Sequence, residues 1–300
     1  MCLPITLEEH LTGETVTEKQ EQRDEQPRGS VKMPTNKLKT AFSSVGCFFS
    51  KTLSIAAMDG RKLRHDPAEL ITRAVQPALW LLVFGEVFAR VHIIPTGNLS
   101  YLSFMAPGIL AQSVLFIAIF FGITVIWERD LGIIHKFLVS PTPREALVLG
   151  KALSAGVRAL SQVVIIYVLA VLIGVGINWN PINLTLVAVV AVIASAAFST
   201  FSLIIASVVK TRERFMGIGQ ILTMPLFFAS NAIYPLSMMP SWLQAVAQVN
   251  PLTYTVDALR GLMIVGGTSV YGVGLDMLVL FVSMTALIII GAKLYPKVIV

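Results

Sequence analysis

The chain has 300 residues, 55% of them apolar and 13% charged, with a formal net charge of +6. Soluble domains carry about 25% charged residues, and the shortfall here is uneven: residues 1–73 hold 21 of the 40 charges, leaving 19 for the other 227 positions. Nineteen charges cannot cover a soluble globule of that size. Everything beyond residue 73 is therefore expected to be dissolved in lipid, which excludes a pair of soluble domains.

The two cysteines, Cys2 and Cys47, give no disulfide framework. The four histidines are never closer than 27 residues, so no short-range metal-ligand pair is visible and no metal is expected. The basic residues flank apolar runs rather than forming a stripe, which reads as membrane orientation and not as nucleic-acid binding.

In chain order, residues 1–36 carry seven acidic and four basic side chains and few aliphatics. Such a segment cannot bury enough apolar surface to offset its ordering entropy, so a disordered acidic tail is expected, without a cleavable signal. Met33 offers an alternative start. From 37 to 68 a cytoplasmic segment follows. Within it Leu38, Phe42, Val45, Phe49, Leu53 and Ala56 recur at helical spacing beside Lys37, Lys39 and Lys51. This pattern predicts an amphipathic helix lying in the membrane surface.

Crossing roughly 30 Å of hydrocarbon takes about 20 helical residues. Residues 69–300 offer six such segments, near 72–91, 104–127, 155–177, 184–209, 215–235 and 270–292. The fold expected is all-α and integral to the membrane. With the N-terminus inside, 21 of the 23 lysines and arginines fall on the inner side, and only Arg90 and Arg260 lie outside. Both termini are then cytoplasmic. Two stretches break the pattern: the charged inner loop 128–151, and an outer segment, 235–269, interrupted by Pro235, Pro240 and Pro251. Residues 215–256 carry no charge at all, so short re-entrant helices are expected before the last span. Broken backbone at that depth is tolerated only against protein or a water-lined cavity.

No catalytic motif emerges. A phosphate loop is missing, since Gly150-Lys151 runs into Ala152 and lacks the upstream glycine, and neither H-E-x-x-H nor G-x-S-x-G occurs. The chain is expected not to be an enzyme. An ion-coupled carrier would need ionisable groups inside its spans. Glu86, Arg158 and Asp276 are the candidates, and all three read more simply as anchors near helix ends. Gln112, Gln162, Gln220 and Asn231 are polar groups within spans that could line a pathway, or glue helices together.

In the inner loop, Glu128-Arg129-Asp130, Gly132, Leu138, Ser140-Pro141, Arg144 and Gly150-Lys151 resemble the first cytoplasmic loop of type-2 ABC transporter permeases, the group of daunorubicin-resistance and nodulation-factor exporters. Outside, Pro240, Trp242 and Leu243, then Asn250-Pro251-Leu252-Thr253-Tyr254 and Asp257-Ala258-Leu259-Arg260, resemble the family's segment before the last span. Gln76-Pro77-Ala78-Leu79-Trp80 with Phe84-Gly85 is a third match, and the three lie in the family's order.

That resemblance implies a plasma-membrane permease subunit of an ATP-driven exporter moving a drug-like, lipid-linked or glycan substrate. A second permease subunit, identical or a close paralogue, would complete a dimer within membrane lipid. Separate cytoplasmic ABC ATPase subunits would bind ATP and magnesium, leaving this chain without a cofactor. Glu128, Arg129, Asp130, Gly132, Pro141, Arg144 and Lys151 would then couple the ATPase stroke. Pro240, Trp242, Asn250, Pro251, Tyr254, Asp257 and Arg260 would close the outer side. Asp257 and Arg260 lie three residues apart and can pair on one helical face. The alternatives are an ion-coupled secondary transporter, with Glu86 or Asp276 as relay, and a membrane scaffold that transports nothing.

Overall fold

The computed structural model describes residues 72, 75–91, 99–131, 144–209 and 211–294, all within one compact unit, Ser50–Val300. The expected tail at 1–36 and surface helix at 37–68 lie outside the described residues. Those described are helical almost throughout. A wide π turn, Trp80–Gly85, leads into α1 (Glu86–Val91). Then come α2 (Tyr101–Asp130), α3 (Arg144–Ile173), α4 (Pro181–Val208), α5 (Arg212–Phe228), α6 (Ser241–Val249), α7 (Pro251–Met263) and α8 (Val273–Leu294). The β-type pairing among the described residues is one isolated antiparallel bridge, Ile177 with Ile264, tying the turn after α3 to the turn after α7.

Local sequence sets the helix starts. Ser100 accepts from the Ser103 amide at 3.2 Å and opens α2. Asn180 accepts from Ile182 at 3.1 Å ahead of Pro181, and Asn250 from Leu252 at 3.0 Å ahead of Pro251. A short polar cap followed by proline at the first helical position satisfies an orphan amide and costs no hydrogen bond. The proline and asparagine at 250–251 thus end α6 and begin α7, as the sequence suggests.

Four helices are long and apolar enough to cross a membrane: α2, α3 from Val148 to Ile173, α4 and α8. These match the expected second, third, fourth and sixth segments. The fifth is shorter than read from sequence, because α5 stops at Phe228 after 17 residues, about 25 Å at 1.5 Å per residue. Turns at Ala229–Tyr234 and a single 3₁₀ turn, Leu236–Met238, take the place of its last third.

Helices α2 and α4 form the centre. They pack on each other, and each also contacts α3, α5 and α7, while α8 lies against α4, α7 and α3. Burial follows: 78% of the apolar stretch of α2 is enclosed by protein, against 11% of that of α8. In hydrocarbon no hydrophobic force drives helices together, so contact depends on close fit and on polar ties. Ala191, Ala194, Ser195, Ala197, Ser202 and Ala206 give α4 a buried face of small residues. Gly122 on α2 answers it. Its amide donates to Ser202 Oγ at 3.1 Å, and Ser202 Oγ donates to the Ile119 carbonyl.

Glycines at such approaches have no room to grow. A Cβ on Gly108 would lie 2.8 Å from Ala232 Cα and 2.9 Å from its carbonyl carbon, both backbone atoms that cannot swing aside. Gly217 on α5 meets nothing within 4 Å. Thermal unfolding in detergent should show Gly108→Ala destabilised by about 1–3 kcal/mol through overpacking. Gly217→Ala should be neutral or stabilised by up to about 1 kcal/mol, since alanine favours helix.

Candidate functional site

One end of the helix bundle gathers charge. At the C-terminus of α2, Glu128 accepts from Lys151 Nζ of α3 at 2.6 Å, and both side chains are buried. Asp130 accepts from Arg212 Nη2 of α5 at 2.9 Å and pairs with Arg129 at 3.3 Å. The Arg212 guanidinium also sits 4.1 Å over the Trp127 ring. This end of α2 is thereby held to α3 and to α5 by ionic contacts, one sheltered and one half exposed. A buried pair of this kind fixes geometry more than it adds stability, because desolvation offsets the attraction. Of the expected coupling set, Glu128, Arg129, Asp130 and Lys151 come together here. Arg144 opens α3, whereas Gly132 and Pro141 lie outside the described residues.

The opposite end holds α6, α7 and the turn into α8. Asn250 closes the gap between α5 and α7: its Nδ2 donates to the Leu226 carbonyl at 2.7 Å while its Oδ1 caps α7. Asp257 and Arg260 are both buried in α7. The sequence suggested that they pair, and the structure gives them different partners. Asp257 Oδ2 accepts from the amides of Val270 and Tyr271, at 2.7 and 3.0 Å, and contacts Ser269 Oγ at 2.9 Å. Arg260 donates to the Asn231 carbonyl at 2.7 Å and lies 3.8 Å over the Phe104 ring. The reason is local: the turn after α7 brings unsatisfied backbone amides to the carboxylate, and the broken end of α5 leaves carbonyls for the guanidinium. Trp242 is 68% exposed on α6, Tyr254 is half-buried and donates to the Gln248 carbonyl, and Pro240 caps α6 in the open.

Asp276 lies in the first turn of α8, near a helix end as expected, but it is buried, with Oδ2 2.8 Å from the same Ser269 Oγ that meets Asp257. Ser269 also accepts from the Gly272 amide at 2.7 Å. A serine hydroxyl carries one hydrogen, so it serves one carboxylate at a time, and the second contact closes only when a carboxyl brings its own. Beside this corner, the Tyr271 phenol is pushed up, first by burial and then by Tyr254, Asp257 and Asp276. Glu86, the other suggested relay, is exposed and paired with Arg90 at 3.2 Å.

The polar groups suggested for a pathway divide. Gln112 of α2 and Gln162 of α3 line one cavity of about 480 Å³ together with Ser113, Phe116 and Phe120. Gln220 is exposed on α5, away from them. Asn231 lies at the α7 end, where with Arg260 and Phe104 it borders a smaller space of about 170 Å³.

Comparison with known proteins decides what kind of molecule carries this arrangement. The sequence profile of the ABC-2 type transporter matches residues 53–264, more than two thirds of the chain. The chain belongs to the ABC-2 type transporter family. It is similar to the transport permease ycf38 of Cyanophora paradoxa, 31% identical over 202 residues, covering 66% of this chain and 69% of that one. It is also similar to the daunorubicin resistance ABC transporter permease protein DrrB1 of Streptomyces coeruleorubidus, 26% identical and covering 67% and 70%. Nodulation protein J of Rhizobium leguminosarum bv. trifolii is 24% identical, covering 66% and 74%. This ABC-2 permease is therefore a membrane protein whose relatives are transport permeases.

Two features escaped the sequence reading. Ser269 carries no signal, being one small polar residue in a turn. Arg212 was visible as a charge beside a span, but its bond to Asp130, 82 positions away, is set only by the packing of α5 on α2.

The contacts set two expectations. Lys151→Met should cost about 3–5 kcal/mol by stranding Glu128, and pairing it with Glu128→Gln should recover much of that. Asp257→Ala should cost about 2–4 kcal/mol, as two backbone amides lose their acceptor, while Asp276→Asn keeps an acceptor for Ser269 and costs less. Thermal or denaturant unfolding in detergent checks both.

Proposed function

We propose that this chain is the membrane subunit of an ATP-driven exporter, paired with a second permease subunit and with two cytoplasmic ABC ATPase subunits that hold ATP and magnesium. The observation that carries this reading is the ABC-2 profile match running through residues 53–264, within which two ion pairs, one buried and one half exposed, cluster at one end of the helix bundle. That end would be cytoplasmic, with both termini on the same side of the plasma membrane. The first helix, around 75–91, and α5 complete six spans with the four long helices.

The loop from Glu128 to Lys151 would seat in a groove of the ATPase. Because the end of α2 is bonded to both α3 and α5, a push on the loop reaches three helices at once. At the other face α6, α7 and the Asp257–Ser269–Asp276 corner would close the exit. Drug-like, lipid-linked and glycan molecules are the substrate classes, in line with relatives named for daunorubicin resistance and nodulation.

A second reading, an ion-coupled carrier, draws on two buried carboxyls meeting at Ser269. Dependence of transport on a proton gradient, abolished by Asp276→Asn, would favour it.

Affinity purification of the tagged chain from its native host, followed by mass spectrometry, tests the main reading. A stoichiometric partner bearing a phosphate loop is expected. Repeated isolation of the permease alone, in a detergent that preserves such complexes, would refute it. In the reconstituted complex, Arg129→Ala with Arg144→Ala should lower transport per ATP hydrolysed about tenfold, a coupling loss near 1.4 kcal/mol. Both are chosen over Glu128, whose removal would strand Lys151.

A further inference from the structure

The cavity between α2, α3 and the first segment, where Thr72, Gln76 and Pro77 form its third wall, holds two buried amides without partners. Gln112 and Gln162 are 3% and 1% exposed, and neither carboxamide makes a hydrogen bond among the described residues. Leaving a buried amide unbonded is costly, and a membrane interior offers no water to relieve it. Two such amides facing one space of about 480 Å³ mark a place where oxygen acceptors belong.

A charge completes the set. Arg158 lies one helical turn from Gln162 on the same face of α3. On α2, Phe121 lies one turn from Ile117, a residue of the cavity wall. The two meet: the Arg158 guanidinium sits 4.9 Å over the Phe121 ring. Since the chain runs toward the charged end in α2 and away from it in α3, both steps lead from the cavity toward that end. Arg158 therefore stands one turn beyond the lining residues, on the side of the charged end, where its Nε is buried without an acceptor and it forms no ion pair among the described residues. It sits midway along a 30-residue helix, where an uncompensated cation is expensive and an anion is the natural partner. Phe116 and Phe120 give the wall above it an aromatic, apolar character.

We propose that this cavity binds an anionic amphiphile. Its phosphate, sulfate or carboxylate engages Arg158, its neighbouring ester, amide or hydroxyl oxygens take the hydrogens of Gln112 and Gln162, and its apolar part lies against Phe116 and Phe120. The ligand is either a lipid resident in the bilayer or a transported molecule of the same chemistry. The transported case rests on the exporter reading above; the binding site itself does not.

The test uses the purified full-length permease and three probes with the same dodecyl chain: dodecyl phosphate, dodecyl maltoside and dodecyltrimethylammonium. Binding is read as a saturable rise in unfolding temperature against a background detergent of different class. Dodecyl phosphate is expected to stabilise the protein, and the trimethylammonium probe is not. Arg158→Gln should weaken the phosphate probe about tenfold or more and Arg158→Lys less, because guanidinium offers a bidentate contact that ammonium lacks. Gln112→Leu with Gln162→Leu should raise the unfolding temperature of the unliganded protein while lowering its affinity, a pairing that a general loss of folding cannot produce. Equal stabilisation by all three probes, or an unchanged response in Arg158→Gln, overturns the proposal. In the complete complex with its ATPase, stimulation by dodecyl phosphate that disappears in Arg158→Gln assigns the site to the transported molecule. Binding without stimulation supports a resident lipid and leaves the site standing, even where no ATPase partner is found.

Discussion

The close approach of α2 to α4 is the contact on which the other helices depend. Nothing in hydrocarbon pushes two apolar helices together, so they stay in contact only where small residues let the backbones meet and a polar group spans the gap. Gly122 and Ser202 supply both, with one hydroxyl accepting from the amide of α2 and donating to a carbonyl one turn earlier on the same helix. Around that axis α3 and α7 find surfaces on both central helices, while α8 packs mainly on α4 and α7 and remains mostly open to lipid. The fold is thus graded, with a fitted centre and a loosely held rim.

Polar groups follow the same gradient with a clear division of labour. At one end, ionic contacts between long side chains join α2 to α3 and α5. At the other, carboxylate and guanidinium form no ion pair with each other and bind backbone that the broken helices leave unsatisfied. Between them lie the two glutamines, whose carboxamides make no hydrogen bond among the described residues, and Arg158, which stacks on Phe121 and forms no ion pair among them. A membrane protein can keep such groups only where something else meets their demand.

Much of this was legible in the sequence, for reasons that can be named. The long apolar runs gave the four principal helices, since period and length suffice to mark a span. Asn-Pro at 250–251 gave the break between α6 and α7, because a cap and an N1 proline act locally. The motifs at 128–151 and 240–260 gave the family. What stayed hidden was tertiary. The sequence shows Asp257 and Arg260 at pairing distance along a helix, but not the amides of Val270 and Tyr271 that claim the carboxylate. It shows Asp276 near a helix start, where anchoring is the usual reason for a charge, but not the enclosure by α7 that buries it. It shows four polar residues in spans, but only packing tells that Gln112 and Gln162 share a space while Gln220 faces outward and Asn231 stands at the far end.

The clamp made by Asn250 has a mechanical consequence. One amide nitrogen holds carbonyls at the end of α5, at 2.7 Å from Leu226 and 3.4 Å from Ala229, while the oxygen of the same group caps α7. Separating the two helices would therefore break bonds on both sides of a single side chain and strand carbonyls away from water. Residues 230–232 are buried and held as well, the Asn231 carbonyl by Arg260, so bending is cheaper only farther on, around the exposed Ser237 and Met238. The end of α5 and the start of α7 form a welded joint, and any flexing of this region is displaced into the exposed part of the linker between them.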